Sequence, residues 1–224
     1  IVSFELRKDT TDIAPVALVT PQSQSLLTTA EPITIEVRNL GLDTQSVFKV
    51  GYTFENGTAV SEDVIFELFP DSTYRHTFGS TVDMSVIRNY NFTIFTELDG
   101  DQAPLNDTLR AVVSHLPRFD AGITEVMLPD FTCETALDFT TTLTNFGTVP
   151  LTSADILVSV NGTVVETINW TGNLAITESE VIDISITGFV EGDNIIQITT
   201  ANPNGVTDEE MSNDGRMETL RFIL

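Results

Sequence analysis

The feature that most constrains this chain is an internal duplication about one domain in length. Ile33–Gly41 reads ITIEVRNLG, and Phe139–Gly147 answers it with FTTTLTNFG, in which the asparagine lies 106 residues further on. Three other pairs keep the same order at spacings of 105, 107 and 108 residues, namely Asn56-Gly57 with Asn161-Gly162, Asn106-Asp107 with Asn213-Asp214, and Asp12 with Asp120. Four ordered anchors at nearly constant spacing predict two copies of one fold.

Each copy shows the alternation of short β-strands. In the first matching segment Ile33, Ile35 and Val37 fall on one face and polar residues on the other, which indicates a half-buried strand. Phe139 and Leu143 occupy the equivalent face in the second copy. The other strands of the second copy are predicted over Ile123–Leu128, Asp155–Val160, Val164–Trp170, Val181–Ile186, Ile195–Thr200 and Met217–Ile223, which makes seven.

Asparagine and glycine mark the turns and corners. Asn56-Gly57 and Asn161-Gly162 lie between alternating runs and predict tight hairpins of type I′, because both residue types tolerate a positive φ. Asn39 and Asn145 each end a strand two residues before a glycine. We expect them to shape a bend through local hydrogen bonds and left-handed backbone, which is a structural role.

Seven short strands and no window of helical periodicity predict an all-β chain of two tandem immunoglobulin-like Greek-key β-sandwiches. The repeat places the first sandwich at 12–116 and the second at 117–224. The short segment Leu116–Phe119 joins them and contains proline, so we expect a restricted angle between the domains. Residues 1–11 are either an extra edge strand or the remnant of a preceding domain.

The second copy resembles the bacterial cell-adhesion-related domains called CARDB. It opens with DAGITEV over Asp120–Val126, continues with TTTLTNFGTVPLTSADILVSVNG over Thr140–Gly162, and has an asparagine- and acid-rich stretch over Ala201–Asp214. The first copy keeps isolated matches such as Asn39 and Gly41. The resemblance implies a fibronectin-III/CARDB-type sandwich and an extracellular, non-enzymatic module of adhesins or secreted hydrolases.

The charge of the chain excludes several classes of partner. Ten basic residues stand against 33 acidic ones, which gives a net charge of −23. Nucleic acid and anionic lipid are polyanions whose binding needs Lys and Arg, so we expect no nucleic-acid partner. No apolar run approaches the roughly 20 residues of a membrane helix, so we also expect no direct membrane insertion.

Cysteine usage bears on the origin of the chain. Cys133 is the only cysteine and can form no internal disulfide, whereas a secreted eukaryotic immunoglobulin domain usually carries one. A bacterial domain is therefore favoured over a disulfide-free eukaryotic one. Together with the resemblance, this predicts an extracellular location, either secreted or at the cell surface.

Catalytic groups are scarce. Acyl transfer of the serine or cysteine type needs a nucleophile beside a base, and His76, His115 and Cys133 are the only His and Cys residues. We expect structural or surface roles for both histidines and a small, half-buried position for Cys133. A zinc site needs three or four such ligands in one place. No pair of carboxylates stands out as a glycosidase pair, so we expect no enzyme activity.

Calcium is the one cofactor for which the sequence offers ligands, since this ion takes six to eight hard oxygens. The acidic loop before the last strand of each copy supplies carboxylates and amides. The candidate ligands are Asp99, Asp101, Asn106 and Asp107 in the first copy and Asp208, Asn213 and Asp214 in the second. The hypothesis is that one or both loops bind calcium at the end of the sandwich. The ordinary interpretation, which stands against it, is a solvated acidic turn without a metal.

These features predict a non-catalytic adhesion or scaffold module of a larger bacterial surface or secreted protein. Its partners are other domains of the same polypeptide and, through end loops, a surface protein or a polysaccharide. The alternative is an accessory or carbohydrate-binding domain of a secreted protease or glycosidase. Exposed aromatic rings stack on sugars, but the alternation around Trp170 sets it beside Ile168 on one face and predicts a core position.

Overall fold

The computed structural model describes residues 9–224, and these divide into two compact units between His115 and Leu116. Both units consist of β-strands packed as two facing sheets, so the predicted all-β class and the two immunoglobulin-like sandwiches are confirmed. No helix in the described part of the chain is long and apolar enough to cross a membrane. Most of the segment 1–11, predicted as an extra strand or a remnant, lies outside the described residues.

The first unit has seven strands in two sheets. They are β1 (Ile13–Thr20), β2 (Glu31–Asn39), β3 (Gln45–Phe54), β4 (Val60–Leu68), β5 (Thr73–Val82), β6 (Arg88–Glu97) and β7 (Thr108–His115). One sheet has the order β1-β2-β5 and the other the order β4-β3-β6-β7. The chain changes sheet after β2, after β4 and after β5, which is the Greek-key pattern of this class of sandwich.

The predicted alternation of β2 builds the core of the first unit. Ile33, Ile35 and Val37 are fully buried and pack with Val50 and Ile94 from the opposite sheet. Their neighbours in sequence point away from this core, as a period of two requires. The unit therefore has a hydrophobic core of its own.

The second unit repeats this arrangement with one additional strand. Its strands are β8 (Ala121–Met127), β9 (Phe131–Thr132), β10 (Ala136–Asn145), β11 (Leu151–Val160), β12 (Thr163–Leu174), β13 (Ser179–Thr187), β14 (Gly192–Ala201) and β15 (Gly215–Phe222). The sheets have the orders β13-β10-β8 and β12-β11-β14-β15-β9. All seven predicted strands are present. The strand β9 was not predicted, because a two-residue strand has no periodicity, and it pairs in parallel with β15.

The second unit also has its own core, around Phe139 and Leu143 of β10. Trp170 belongs to this core with 6% of its surface exposed, and its indole Nε1 donates a hydrogen bond to Glu180 Oε2 at 3.2 Å. The predicted core position is confirmed, and Trp170 offers no exposed ring for a sugar.

One of the two predicted asparagine–glycine turns has the expected form. Asn161 and Gly162 both have positive φ, 51° and 82°, and they join β11 to β12 as a two-residue hairpin. In the first unit the positive φ values belong to Glu55 and Asn56, and the Gly57 N–H donates to the Phe54 carbonyl at 2.8 Å. The turn is thus centred one residue before the predicted pair.

The corner after β2 in the first unit and the corner after β10 in the second have the same construction. Gly147 N–H donates to the side-chain oxygen of Asn145 at 3.0 Å, and Gly41 N–H donates to Asn39 at the same distance. The predicted local hydrogen bonds are confirmed. Left-handed backbone was the wrong expectation, because none of these four residues has a positive φ. The glycines are needed for space instead, since a Cβ on Gly147 would lie 2.5 Å from the carbonyl oxygen of Arg118.

Candidate cation site at the loop end of each sandwich

The candidate ligands of the second unit meet at one end of the sandwich. The beginning of β8 pairs with the end of β10, and the end of β14 pairs with the beginning of β15. The segment before β8, the corner after β10 and the long loop 202–214 before β15 therefore all lie at this end. We call Asp120, Asp208, Asn213 and Asp214 the second oxygen cluster. Asp120 precedes β8, and the other three residues belong to the loop.

Backbone hydrogen bonds fix the carboxylate of Asp208 and the main chain of Asp120. Asp208 Oδ2 accepts from the Ala121 N–H and Asp208 Oδ1 from the Glu210 N–H, both at 2.9 Å. The carbonyl oxygen of Asp120 accepts from Phe146 at 3.0 Å and from Gly147 at 3.1 Å. Strand β8 and the corner after β10 therefore hold the acidic loop and Asp120 in one place.

Three oxygens of the second oxygen cluster are buried and lack a hydrogen-bond donor. They are Oδ1 of Asp120, Oδ1 of Asn213 and Oδ1 of Asp214. Asp120 as a whole is only 2% exposed. Buried polar atoms in native proteins are nearly always hydrogen-bonded, so three unpaired oxygens in one cluster require an explanation.

The electrostatics of the second oxygen cluster favour a positive ligand. Burial is the largest cause that raises the pKa of Asp120 and of Asp214, each from 3.8 to about 6. A hydrogen bond from Asn213 lowers the pKa of Asp120, while the nearby charges of Asp208, Asp214 and Glu210 raise it. The pKa of Asp208 is also raised, first by burial. Each carboxylate is thus partly deprived of water and repelled by its neighbours.

The first unit contains the equivalent cluster, formed by Asp12, Asp101, Asn106 and Asp107. Asp101 Oδ2 accepts from the Ile13 N–H at 3.1 Å, and Asp101 Oδ1 accepts from the Ala103 N–H at 2.7 Å. Asn106 Nδ2 donates to the carboxylate of Asp12 at 3.1 Å. We call these four residues the first oxygen cluster.

The first oxygen cluster also contains unpaired buried oxygens, Oδ1 of Asn106 and Oδ1 of Asp107. Burial, and after it the charges of Asp101 and Asp12, raise the pKa of Asp107 to about 6. The members of the two clusters correspond one to one at spacings of 107 or 108 residues. The duplication has therefore preserved a set of four side chains together with their hydrogen bonds.

The two clusters differ in the residues that follow the first loop aspartate. Gln102 and Ala103 come after Asp101, whereas Glu209 and Glu210 come after Asp208. Gln102 Oε1 accepts from the Thr11 N–H at 3.3 Å, and Glu209 Oε2 accepts from the equivalent Phe119 N–H at 3.2 Å. The same bond is thus made by a neutral side chain in the first unit and by a charged one in the second.

Sequence analysis found six of these eight residues. Asp101, Asn106, Asp107, Asp208, Asn213 and Asp214 are brought together as predicted candidates, whereas Asp99 lies in the same loop with an exposed side chain. Asp12 and Asp120 were not among the predicted candidates, although they belong to the two clusters. Their signal is present in the duplication, since each opens the first strand of its copy at a spacing of 108 residues.

The other residues considered for chemistry lie elsewhere. His76 Nε2 lies 2.8 Å from Glu62 Oε2, and His115 Nδ1 lies 2.7 Å from the Met84 carbonyl oxygen. Cys133 is exposed and not half-buried as predicted, because it follows the short edge strand β9. Across residues 9–224 no three His, Cys, Asp or Glu side chains are arranged to hold a metal ion by themselves.

Comparisons with known proteins concern the fold. No protein-family model matches the sequence, and no curated protein matches it either. The chain is similar to the solved CARDB domain of a Pyrococcus furiosus protein in complex with di-metal ions, with 23% identity and a TM-score of 0.38 over 48% of this chain and 90% of that one. Solved CARDB domains are thus among the structures similar to this chain.

Two other solved structures are similar over most of the chain. The fibronectin(III)-like modules of Clostridium thermocellum CbhA share 12% identity over 92% of this chain and 93% of that one, with a TM-score of 0.31. CBD12 from CALX1.2 shares 11% identity over 86% of this chain and 93% of that one, with a TM-score of 0.37.

Proposed function

We propose that this chain is a non-catalytic extracellular module that spaces and displays the other domains of a larger surface or secreted protein, and that calcium stabilises the loop end of each sandwich. The observation that carries the proposal is the duplicated oxygen cluster. In both copies buried oxygens without hydrogen-bond donors lie beside carboxylates of raised pKa. A bound cation would coordinate the unpaired oxygens and offset the repulsion between the buried carboxylates, so it would remove both causes of destabilisation.

The chemistry of the ligands favours calcium over the transition metals. All side-chain ligands that the second oxygen cluster offers are carboxylate or amide oxygens, and neither His nor Cys is among them. Calcium accepts six to eight oxygens in flexible geometry, including backbone carbonyls and water. Asp120, Asn213 and Asp214 would bind it through their unpaired Oδ1 atoms, while Asp208 contributes charge beside them.

An extracellular setting suits such a site. Calcium-binding modules outside the cell have dissociation constants of about 10⁻⁴–10⁻³ M, so a cluster with few charged ligands is sufficient there. With a net charge of −23, the chain stays soluble and avoids nucleic acid. Its partners in this proposal are the flanking domains of the same polypeptide and a surface protein or polysaccharide that its end loops contact.

Thermal unfolding in calcium and in chelator tests the cation sites. We expect the melting temperature to rise in calcium, because a ligand at 100 times its dissociation constant adds about 2.7 kcal/mol to the free energy of unfolding. Asp214→Asn keeps the size of the side chain and removes its charge, so the variant should lose the calcium response of the second unit. The matched control is Asp130→Asn, whose side chain is exposed at the opposite end of β8. A parent protein that melts identically in calcium and in chelator rules out the calcium part of the proposal.

An array of bacterial and host polysaccharides tests the contact role. If the array retains the protein in calcium but not in chelator, the result supports a contact through the loop ends. If the array retains the protein equally with and without calcium, the contact lies elsewhere on the surface. If no polysaccharide retains the protein, contact with protein partners and the spacing of domains remain as its function. Because Trp170 is buried, its replacement by Phe should not change any retention that is observed.

A further inference from the structure

We propose that the cation of the second unit acts as a clamp on residues 116–120, the segment through which the chain enters this sandwich. The inference rests on the calcium binding proposed above and adds a consequence to it. The loop 202–214, which supplies three of the four side chains of the second oxygen cluster, also holds the entry segment through hydrogen bonds. A cation that fixes the loop therefore fixes the entry segment.

Glu209 is the residue that connects the loop to the entry segment. Its carboxylate accepts hydrogen bonds from the backbone N–H groups of Arg118 and Phe119, and its own N–H donates to the Phe119 carbonyl at 3.0 Å. On the other side, the Thr148 N–H donates to the Pro117 carbonyl at 3.1 Å. The entry segment is thus held between the acidic loop and the corner after β10.

The same loop is tied to β8 on both sides of Glu209. Asp208 accepts from the Ala121 N–H at 2.9 Å, and the Asn213 carbonyl accepts from the Ile123 N–H at 3.2 Å. The loop and the entry segment therefore close together or open together. Asp120 lies within this closed arrangement, so a cation shared by Asp120 and the loop binds only the closed state.

Without a cation, charge opposes closure. Asp120 lies near the carboxylates of Asp208, Asp214 and Glu210, and Glu209 adds a further negative charge to the same loop. A ligand that binds one of two states shifts the population toward that state by its differential affinity. Calcium should therefore convert an entry segment that opens often into one that opens rarely.

The first unit serves as an internal comparison. Gln102 replaces Glu209 there, and Ala103 replaces Glu210, so the equivalent loop closes on residues 9–12 with fewer negative charges. Less repulsion has to be overcome in the first unit. The dependence of loop closure on calcium should accordingly be stronger in the second unit than in the first.

Limited digestion with trypsin tests the clamp, because Arg118 is exposed and lies within the entry segment. Cleavage after Arg118 requires the hydrogen bond of Phe119 to Glu209 to open, and cleavage of a rarely opened segment follows the population of its open form. We expect the fragment ending at Arg118, identified by mass spectrometry, to form at least about tenfold more slowly in calcium than in chelator. A fluorogenic arginine peptide in the same tube corrects for any effect of calcium on the protease.

Hydrogen exchange of the backbone amides over 116–123 gives a second readout that does not require cleavage. Calcium should slow the exchange of this peptide in the parent and in Asp130→Asn, and leave it unchanged in folded Asp214→Asn. If calcium raises the melting temperature but changes neither cleavage nor exchange, the clamp is overturned while the cation site stands. If the melting temperature does not change either, both proposals fail. Protection of Asp214→Asn equal to that of the parent also overturns the clamp at this site.

Discussion

The side-chain amide of Asn145 donates a hydrogen bond to the carbonyl oxygen of Leu174 at 3.0 Å, deep inside the second sandwich. Asn39 makes the same bond to Leu68 at 2.8 Å in the first. Each asparagine ends the central strand of the three-stranded sheet in its unit, and its side chain reaches the last residue of a strand in the opposite sheet. A polar side chain therefore joins the two sheets where a hydrophobic residue could not satisfy the carbonyl groups.

Replacement of Asn145 by Ala should destabilise the second unit by about 3 kcal/mol. The side chain is 1% exposed and donates to the carbonyls of Val149, Leu174 and Ala175, which lose this donor in the variant. Urea unfolding monitored by Trp170 fluorescence measures the loss. The control is Asn169→Ala, an exposed asparagine of β12, which should change the stability by less than about 0.5 kcal/mol. Equal effects of the two substitutions would contradict the structural role of Asn145.

Replacement of Gly41 by Ala should destabilise the first unit by more than about 2 kcal/mol. An added Cβ would overlap the carbonyl oxygen of Thr10, which is backbone and cannot rotate away. Gly79→Ala is the matched control in the same unit, since the nearest atom to its added Cβ is 3.7 Å away. The control should be neutral or slightly stabilising, because alanine restricts the unfolded chain more than glycine does. Chemical unfolding followed by tyrosine fluorescence decides, and a Gly41→Ala variant as stable as its control would refute the close approach.

The fold could be predicted from the sequence because its signals are local or repeated. The alternation of Ile33, Ile35 and Val37 is visible within five residues, and the matching segment around Leu143 shows it again. Turn geometry was harder, since the choice between Glu55-Asn56 and Asn56-Gly57 depends on the register of β3 with β4. The strand β9 depends wholly on its neighbour β15 and has no signal of its own.

The candidate site could be predicted only in part, because its ligands come from distant segments. Asn213 and Asp214 stand together in an acidic loop, and composition alone draws attention to them. Asp120 looks like the first residue of an ordinary strand, and only the fold brings it to the loop. Burial that leaves an oxygen without a donor is a property of the tertiary structure and has no counterpart in the sequence.

Introduction of a charge into either core should unfold one unit and spare the other. Ile35 and Leu143 are both fully buried, and an unpaired buried charge costs several kcal/mol against a total stability of about 5–15 kcal/mol. We expect Ile35→Asp to unfold the first unit and Leu143→Asp the second. Trp170 is the only tryptophan and lies in the second unit, so its emission should shift only for Leu143→Asp.

Two exposed positions provide controls for the aspartate substitutions at Ile35 and Leu143. Ile65 is 84% exposed in β4 and Val181 is 62% exposed in β13, so aspartate at either position should keep both units folded. Tyrosine fluorescence reports the first unit, since all three tyrosines, Tyr52, Tyr74 and Tyr90, belong to it, and circular dichroism reports the strand content of both units. Parent-like melting of both core variants would show that the strands are assigned to the wrong faces.

The stability of the calcium-free protein should decrease as the pH rises from 5 to 7.5. Asp107, Asp120 and Asp214 have folded-state pKa values of about 6 against 3.8 in the unfolded chain, so the folded state binds more protons between these values. The stability that protonation supplies is fully present below pH 3.8 and is lost as the pH passes 6. Between pH 5 and 7.5 each carboxyl should contribute about 1 kcal/mol, since one pKa unit corresponds to about 1.4 kcal/mol.

The pH window avoids the carboxylates with the opposite behaviour. Glu55 and Glu62 have lowered pKa values, mainly through backbone hydrogen bonds from Asn91 and Gly79, and they stay ionised above pH 5. Calorimetry in chelator should therefore give a higher melting temperature at pH 5 than at pH 7.5. Calcium should remove or reverse this difference, because it binds the ionised carboxylates and competes with protons. Asp214→Asn should show a smaller pH dependence than the parent, and a calcium-free parent that becomes more stable between pH 5 and 7.5 would contradict the buried, mutually repelling carboxylates.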